Sequence, residues 1–154
     1  MLSSKQAIQS IFKRHGDDAV YITNTGYNSR AVHSLYSTKH NILYMQGSMG
    51  LSPAIGLGIA MNTKKDVVVF VGDASLLMHL GVTHTIRDAK VDNLFIYVIN
   101  NGCHESVGEY KCSKLLPSYP AITEIIETSC DGKESRVAID CKGNITNLKD
   151  ILNA

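Results

Sequence analysis

Two short runs carry side chains that can share one chemistry: Gly72-Asp73-Ala74-Ser75 and Asn100-Asn101-Gly102. An acid and an amide offer oxygen ligands to a small hard cation, and such a cation in turn holds phosphate oxygens. Asp73 and Asn101 are 28 positions apart, the length of one helix plus one strand. A βαβ step of that length returns both loops to the same edge of a parallel sheet. Ser75 adds a hydroxyl at the start of the next helix, where free backbone N–H groups favour an anion. Taken singly, the runs read as an Asp N-cap and an Asn-Gly turn. Their pairing makes them a candidate site.

The elements that must position these loops follow from patterning. Ala7, Ile8, Ile11 and Phe12 recur at helical spacing in 1–15, with Ser3 or Ser4 as N-cap. A β-branched run at 19–23 (AVYIT) predicts a strand, closed by Asn24-Thr25-Gly26. A short helix over 28–36 and a strand over 41–45 (NILYM) come next. Gly47 and Gly50 let backbone approach a ligand, while Ala54, Gly56, Gly58 and Ala60 predict a small-residue helix that packs closely. The run 66–71 (DVVVFV) is that of a strand covered on both faces. A helix over 76–89, a strand over 93–99, a long polar loop over 100–118, a helix over 120–128, a strand over 136–141 and a helix over 144–152 complete the prediction. The alternation implies α/β architecture: a doubly wound, mainly parallel sheet with helices on both faces, one domain over 1–154. Ligands in such sheets sit at the carboxyl ends of the strands, here the loops after Thr23, Met45, Val71 and Ile99.

Composition narrows the function classes. With 154 residues, 44% hydrophobic and 19% charged, the chain is an ordinary folded domain and not a disordered one. Fifteen Lys and Arg against fourteen Asp and Glu leave +1, without a basic block to attract nucleic acid. Cys103, Cys112, Cys130 and Cys141 show no CxxC pairing, which argues against zinc. They read as small buried hydrophobes and free thiols in a reducing compartment, with Cys103 and Cys112 the pair considered for any redox role. No apolar run approaches the roughly 20 residues of a membrane span, and a cytoplasmic setting is expected.

Together, the two runs resemble the diphosphate and magnesium motif of thiamine diphosphate enzymes, a GDG followed one βαβ step later by NN, with Ala74 replacing the second glycine. A methyl group there is tolerated if φ stays negative. Thr25-Gly26 with Ser29-Arg30, Gly47-Ser48-Met49-Gly50, the run 77–81 (LMHLG) and the run 100–108 (NNGCHESVG) look like phosphonopyruvate decarboxylases and their close relatives, the sulfopyruvate decarboxylases. The similarity covers nearly the whole chain but only that family's pyrophosphate-binding domain. The resemblance implies that Asp73, the Asn101 side chain and the Cys103 carbonyl ligate Mg²⁺. Ala74, Ser75 and Ser106 would donate hydrogen bonds to the diphosphate of thiamine diphosphate, and Thr25 and Gly26 would also bind the cofactor. Met49 would prop the bent cofactor, and the Gly47 carbonyl would accept from its aminopyrimidine. His104 would act on substrate or move a proton, whereas His79 is more simply structural. A substrate phosphonate or sulfonate calls for cationic partners, for which Arg30 and Lys111 lie near the matched loops. The run after Ser106-Val107 departs from the family, which leaves open which 2-oxo acid is used.

The same resemblance implies a hetero-oligomer. The pyrimidine-binding domain, with the glutamate that activates the cofactor, would come from a partner subunit, and this chain alone would be inactive. Two other classes compete: a non-catalytic cofactor-binding or interaction module, and a Rossmann-type nucleotide domain. The latter predicts GxGxxG at the first strand turn, where the chain has Asn24-Thr25-Gly26-Tyr27-Asn28.

Overall fold

The computed structural model describes residues 1–153, so Ala154, the last residue of the expected domain, lies outside the described residues. Helix α1 (Ser4–His15) starts on a capping box: Gln6 N donates to Ser3 Oγ, and Ser3 N donates to Gln6 Oε1. Then follow β1 (Val20–Thr23), α2 (Tyr27–Tyr36), β2 (Ile42–Tyr44), α3 (Ser52–Ala60) and β3 (Val67–Gly72). After β3 come α4 (Asp73–Met78), α5 (Val82–Ala89) and β4 (Leu94–Asn100). A small antiparallel hairpin, β5 (Cys103–His104) with β6 (Tyr110–Lys111), encloses a 3₁₀ turn at Glu105–Val107. Strand β7 (Glu124–Glu127) and helix α6 (Cys141–Asn153) end the described chain.

Five strands form one parallel sheet in the order β2-β1-β3-β4-β7. Side chains alternate between its faces. Tyr21, Val68, Phe70, Tyr97 and Ile99 pack with Ile8, Ile11 and Phe12 of α1 and Ala31 and Val32 of α2. Val20, Ile22, Val67, Val69, Val71, Ile96 and Val98 pack on the other face with Ile59 and Ala60 of α3 and Ile86 of α5. The doubly wound sheet expected from sequence is therefore the observed architecture. Gly56 explains how α3 lies so close: a Cβ there would stand 2.5 Å from Val69 Cγ2. On the first face Phe12 stacks on Tyr21 and Tyr36, each at 3.9 Å between ring centroids, and losing such a ring costs about 3–5 kcal/mol. The strand order reverses between β1 and β3, the crevice where such sheets bind ligands.

Three expectations are corrected. The helix over 76–89 is broken into α4 and α5, because His79 leaves helical geometry (φ −136°, ψ 44°) and α5 starts afresh after Gly81. The segment expected to be helical over 120–128 instead forms β7, an edge strand beside β4. Its β-branched Ile122, Thr123, Ile125, Ile126 and Thr128 favour strand over helix. The strand expected over 136–141 is absent. At the sheet's other edge the Asn144 side chain accepts from Tyr44 N (3.0 Å) and donates to Tyr44 O (2.6 Å). It takes the backbone groups that a further strand beside β2 would need. Val137 and Ile139 pack as irregular chain against the α1–α2 side of the core.

Candidate cofactor and metal site

Register assembles the site. Gly72 pairs with Ile99, so Asp73 and the 100–102 turn emerge side by side. Gly102 N donates to Asp73 Oδ2 at 3.0 Å. Asp73 is only 2% exposed. Burial pushes its carboxyl pKa up, against the N–H groups of Ala74 and Gly102 and the Cys112 thiol, which donate to it. A buried carboxylate with no cation beside it is what a divalent ion would relieve. Asn101 Oδ1 accepts from Cys103 N at 3.2 Å, and its Nδ2 donates to Glu105 Oε2 at 2.9 Å. Glu105 therefore fixes which end of the amide faces away from it. Its other oxygen accepts from Gly132 N, and burial raises its pKa while these two donors lower it.

Anion-side groups converge from β1. Asn24 is buried and donates through Nδ2 to Ser75 Oγ at 3.1 Å, leaving Asn24 Oδ1 without a partner. Turning the amide over would let Ser75 donate to it and free the Nδ2 donor instead. Gly26, at φ +84°, approaches so closely that a Cβ would lie 3.2 Å from Ser106 Oγ. Asn24, Thr25, Gly26, Met49, Asp73, Ala74, Ser75, Asn101, Cys103, His104 and Ser106 line one cleft. Ala74 sits inside α4 and is not among the positive-φ residues, which meets the condition for the replaced glycine. Met49 follows Ser48, held at φ +58°, and precedes Gly50 at φ +89°. At Gly50 a Cβ would lie 2.5 Å from Ser75 O and 2.6 Å from His79 Nδ1, so this turn packs directly on α4. Gly47 lies in the same turn, outside the residues lining the cleft.

Some expected residues fall elsewhere. Lys111 is exposed on β6, outside the residues lining the cleft, and lines another cavity with Asn100, Cys112 and Glu127 that meets the cleft at Asn101. Arg30 stands over the Tyr27 ring, 4.5 Å from its centroid, and lines a second cavity that adjoins the cleft through Thr25, Gly26, Met49 and Ser106. The cysteine expectation needs correcting: Cys103 and Cys130 form a disulfide, while Cys112 and Cys141 are free thiols. Because β7 runs parallel to β4, with Glu127 opposite Asn100, its carboxyl end carries Cys130 to the metal loop, a proximity that depends on the strand replacing the expected helix. Sequence reasoning missed Asn24 and Glu105, and weighed Cys112 for a redox role rather than as a donor to Asp73. Glu105 stood inside a quoted motif, and its i, i+4 relation to Asn101 was its signal.

The side chains present suit a hard cation and an anion. They comprise one buried carboxylate and an amide oxygen beside it in the next turn, with hydroxyls lining the same cleft. Among the described residues no group of three His, Cys, Asp or Glu could hold a metal ion, so a cation here would rest on Asp73 together with amide and backbone oxygens. An open parallel sheet with this cleft at its switch point defines a domain that binds a phosphorylated cofactor. Residues 24–141 match the family described as "Thiamine pyrophosphate enzyme, C-terminal TPP binding domain", and the chain belongs to that family.

The chain is 36% identical over 104 residues to sulfopyruvate decarboxylase subunit beta of Methanocaldococcus jannaschii, covering 68% of this chain and 55% of that protein. The same subunit of Methanothermobacter thermautotrophicus is 38% identical over 108 residues, covering 70% and 57%. Phosphonopyruvate decarboxylase of Streptomyces viridochromogenes is 34% identical over 116 residues, covering 75% and 29%. The chain thus matches little more than half the length of the two subunits and under a third of the third protein. A crystal structure of a Mycobacterium smegmatis protein assigned as a thiamin diphosphate-dependent enzyme superposes with a TM-score of 0.67 at 15% identity, over 83% of this chain and 31% of that one. That likeness bears on the fold.

Proposed function

We propose that this chain is the pyrophosphate-binding subunit of a thiamine diphosphate- and Mg²⁺-dependent 2-oxo acid decarboxylase converting phosphonopyruvate to phosphonoacetaldehyde and CO₂. The observation that carries the proposal is the buried Asp73 carboxylate joined by Gly102 N to the Asn101 turn, opposite Ser75 and Asn24. When bound, the cofactor supplies the electron sink that carbon dioxide loss from a 2-oxo acid requires. Asp73, Asn101 Oδ1 and the Cys103 carbonyl would hold the cation; Ser75 and Ser106 would orient the diphosphate beside Ala74, whose N–H is given to Asp73. Glu105 keeps the Asn101 oxygen turned to the metal. Met49 would support the bound cofactor, Gly47 would offer its carbonyl to the aminopyrimidine, and His104, lining the cleft, would hold or move a proton at a ring nitrogen.

The activating glutamate and the pyrimidine-binding half are assigned to a partner subunit, as the names of the beta-subunit relatives support. Those names also favour a second reading, sulfopyruvate to sulfoacetaldehyde. A cytoplasmic setting belongs to the same proposal. Among the described residues no helix is long and apolar enough to cross a membrane, and the Cys103–Cys130 bond is the feature that pulls against a reducing compartment. The test is reconstitution with a pyrimidine-domain partner, thiamine diphosphate and Mg²⁺, following CO₂ release from each acid. Turnover of one or both is expected; cofactor binding with no turnover of either would refute the assignment.

A further inference from the structure

Beside the cofactor cleft lies a second cavity of about 580 Å³, and Met49 and Ser106 sit on the wall between the two. Arg30 and Arg136 both line it, and none of its lining residues is acidic. Glu134, whose carbonyl Arg30 contacts, has its carboxylate paired with Lys5 at 2.9 Å. Arg30 uses only the Glu134 carbonyl, at 3.5 Å, and the Tyr27 ring. Among the described residues neither arginine has a carboxylate partner. Two guanidiniums facing one cavity without a counter-ion repel each other and attract an anion. Their planar forks match a tetrahedral oxyanion in a way that a lysine does not.

We propose that this second cavity is the anion subsite of the 2-oxo acid, where Arg30 and Arg136 jointly hold a phosphonate or sulfonate group while the oxo acid end reaches past Met49 into the cofactor cleft. The proposal rests on the decarboxylase assignment and adds Arg136, which lies far from every motif in the sequence. The two residues reach the cavity by different routes. Arg30 stands on the first turn of α2, directly after the Thr25-Gly26 turn. Arg136 comes from the irregular segment that follows the Cys103–Cys130 disulfide, which ties the start of that segment to the metal loop. Lys111 lines a third cavity that meets the cleft at Asn101 and shares no lining residue with the Arg30–Arg136 cavity, so it has no part in the subsite. A substrate without a terminal oxyanion, such as pyruvate, would leave both charges uncompensated, so the subsite sets specificity for doubly anionic acids.

The probe is 3-phosphonopropionate, which keeps the phosphonate and carboxylate but has no oxo group to react. Its binding to the full chain with thiamine diphosphate and Mg²⁺ is followed by phosphorus NMR and calorimetry. Wild type is expected to bind it, with affinity lowered at least tenfold in both R30Q and R136Q. K64Q, which removes one charge from an exposed position ahead of β3, should stay within twofold. Arg136 is exposed and makes no hydrogen bond to the described residues, so R136Q tests the idea even if R30Q fails to fold. Wild-type affinity in R136Q, an equal loss in K64Q, or no binding by wild type would overturn the subsite. Arginine-dependent binding of the probe, alongside an assembled enzyme that decarboxylates neither acid, would uphold the subsite and sink the decarboxylase assignment instead.

Discussion

Replacing Asp73 by Asn is the most direct challenge to the site, because it preserves shape while removing the charge. The carboxylate is 2% exposed and accepts from Gly102 N at 3.0 Å. An amide oxygen can still accept that bond, while its NH₂ must face the Ala74 N–H or the Cys112 thiol, at a cost of about 1–3 kcal/mol for a mismatched buried donor. Loss of a buried charge held above its usual carboxyl range works in the opposite direction. The metal-free fold should therefore survive with a small change in melting temperature. Cation binding should not survive. Removing a residue that only orients a ligand typically weakens metal affinity by about 10–100-fold, so removing the charged ligand itself should cost more than about 100-fold, or about 2.7 kcal/mol. Calorimetry of thiamine diphosphate binding to the assembled enzyme across a Mg²⁺ titration reads this directly. At ligand concentrations near 100 Kd, wild type gains about 2.7 kcal/mol, a shift of roughly 5–11 °C for a domain this size, and the variant should gain almost none. Cofactor affinity and Mg²⁺ dependence unchanged in D73N would refute the metal assignment.

Glu105→Gln should leave the fold intact and raise the Mg²⁺ concentration for half-maximal cofactor binding by about 10–100-fold, because the Asn101 amide loses the carboxylate that orients it; an unchanged requirement would show that Glu105 only braces Gly132. Gly50→Ala would force a Cβ to within 2.5 Å of Ser75 O at φ +89°, and a loss of at least about 2 kcal/mol in urea unfolding is expected. Tyr44→Phe concerns alkaline stability. Burial raises the Tyr44 pKa to about 12, above the roughly 10 of an unfolded chain, so its contribution is full below pH 10 and fades as pH rises toward 12. The hydroxyl is buried without a partner, so Y44F should be neutral or stabilising at pH 7 and lose less stability between pH 10 and 12; a loss above about 1 kcal/mol at pH 7 would expose a missing hydrogen bond.

Elements whose pattern was decided within one segment were legible, and those decided by competition for an edge were not. The run Val67–Gly72 has only one solution, because six buried residues in a row demand cover on both faces. Asp73 and Asn101 were recoverable because parallel register turns a sequence interval into a distance. The segments 120–128 and 136–141 each carried β-branched residues, and which of them joined the sheet depended on Asn144 closing β2 from 100 residues away. Local pattern contains no such information. The Cys103–Cys130 pairing and the meeting of Arg30 with Arg136 failed for the same reason, since both depend on the path after β7. The break at His79 depends on the Gly50 turn packing against α4, again a contact between distant segments.

The distribution of unsatisfied polar groups separates the two ends of the sheet. Among the described residues, the buried side-chain atoms without a hydrogen bond are Asn24 Oδ1, Tyr44 Oη and Ser52 Oγ. All three sit at or just beyond the carboxyl ends of β1 and β2, and the left-handed Ser48 and the buried Asp73 lie at that same edge. The opposite end is closed. His15 bonds both Asp66 and Tyr97, the Tyr21 hydroxyl donates to Gly16 O, and Asn93 Nδ2 reaches the carbonyls of Ala60, Thr63 and Lys65. Of the three unpaired atoms, Asn24 Oδ1 belongs to a residue lining the cofactor cleft, where an external group can satisfy it; left-handed backbone is not confined to that edge, since Lys90 and Ala121, ahead of β4 and β7, also carry positive φ. A net charge of +1 gives no global field to draw in an anionic cofactor. The proposed cofactor site therefore relies on local groups, above all the buried Asp73 carboxylate with the cation it would hold and the unpaired Asn24 amide.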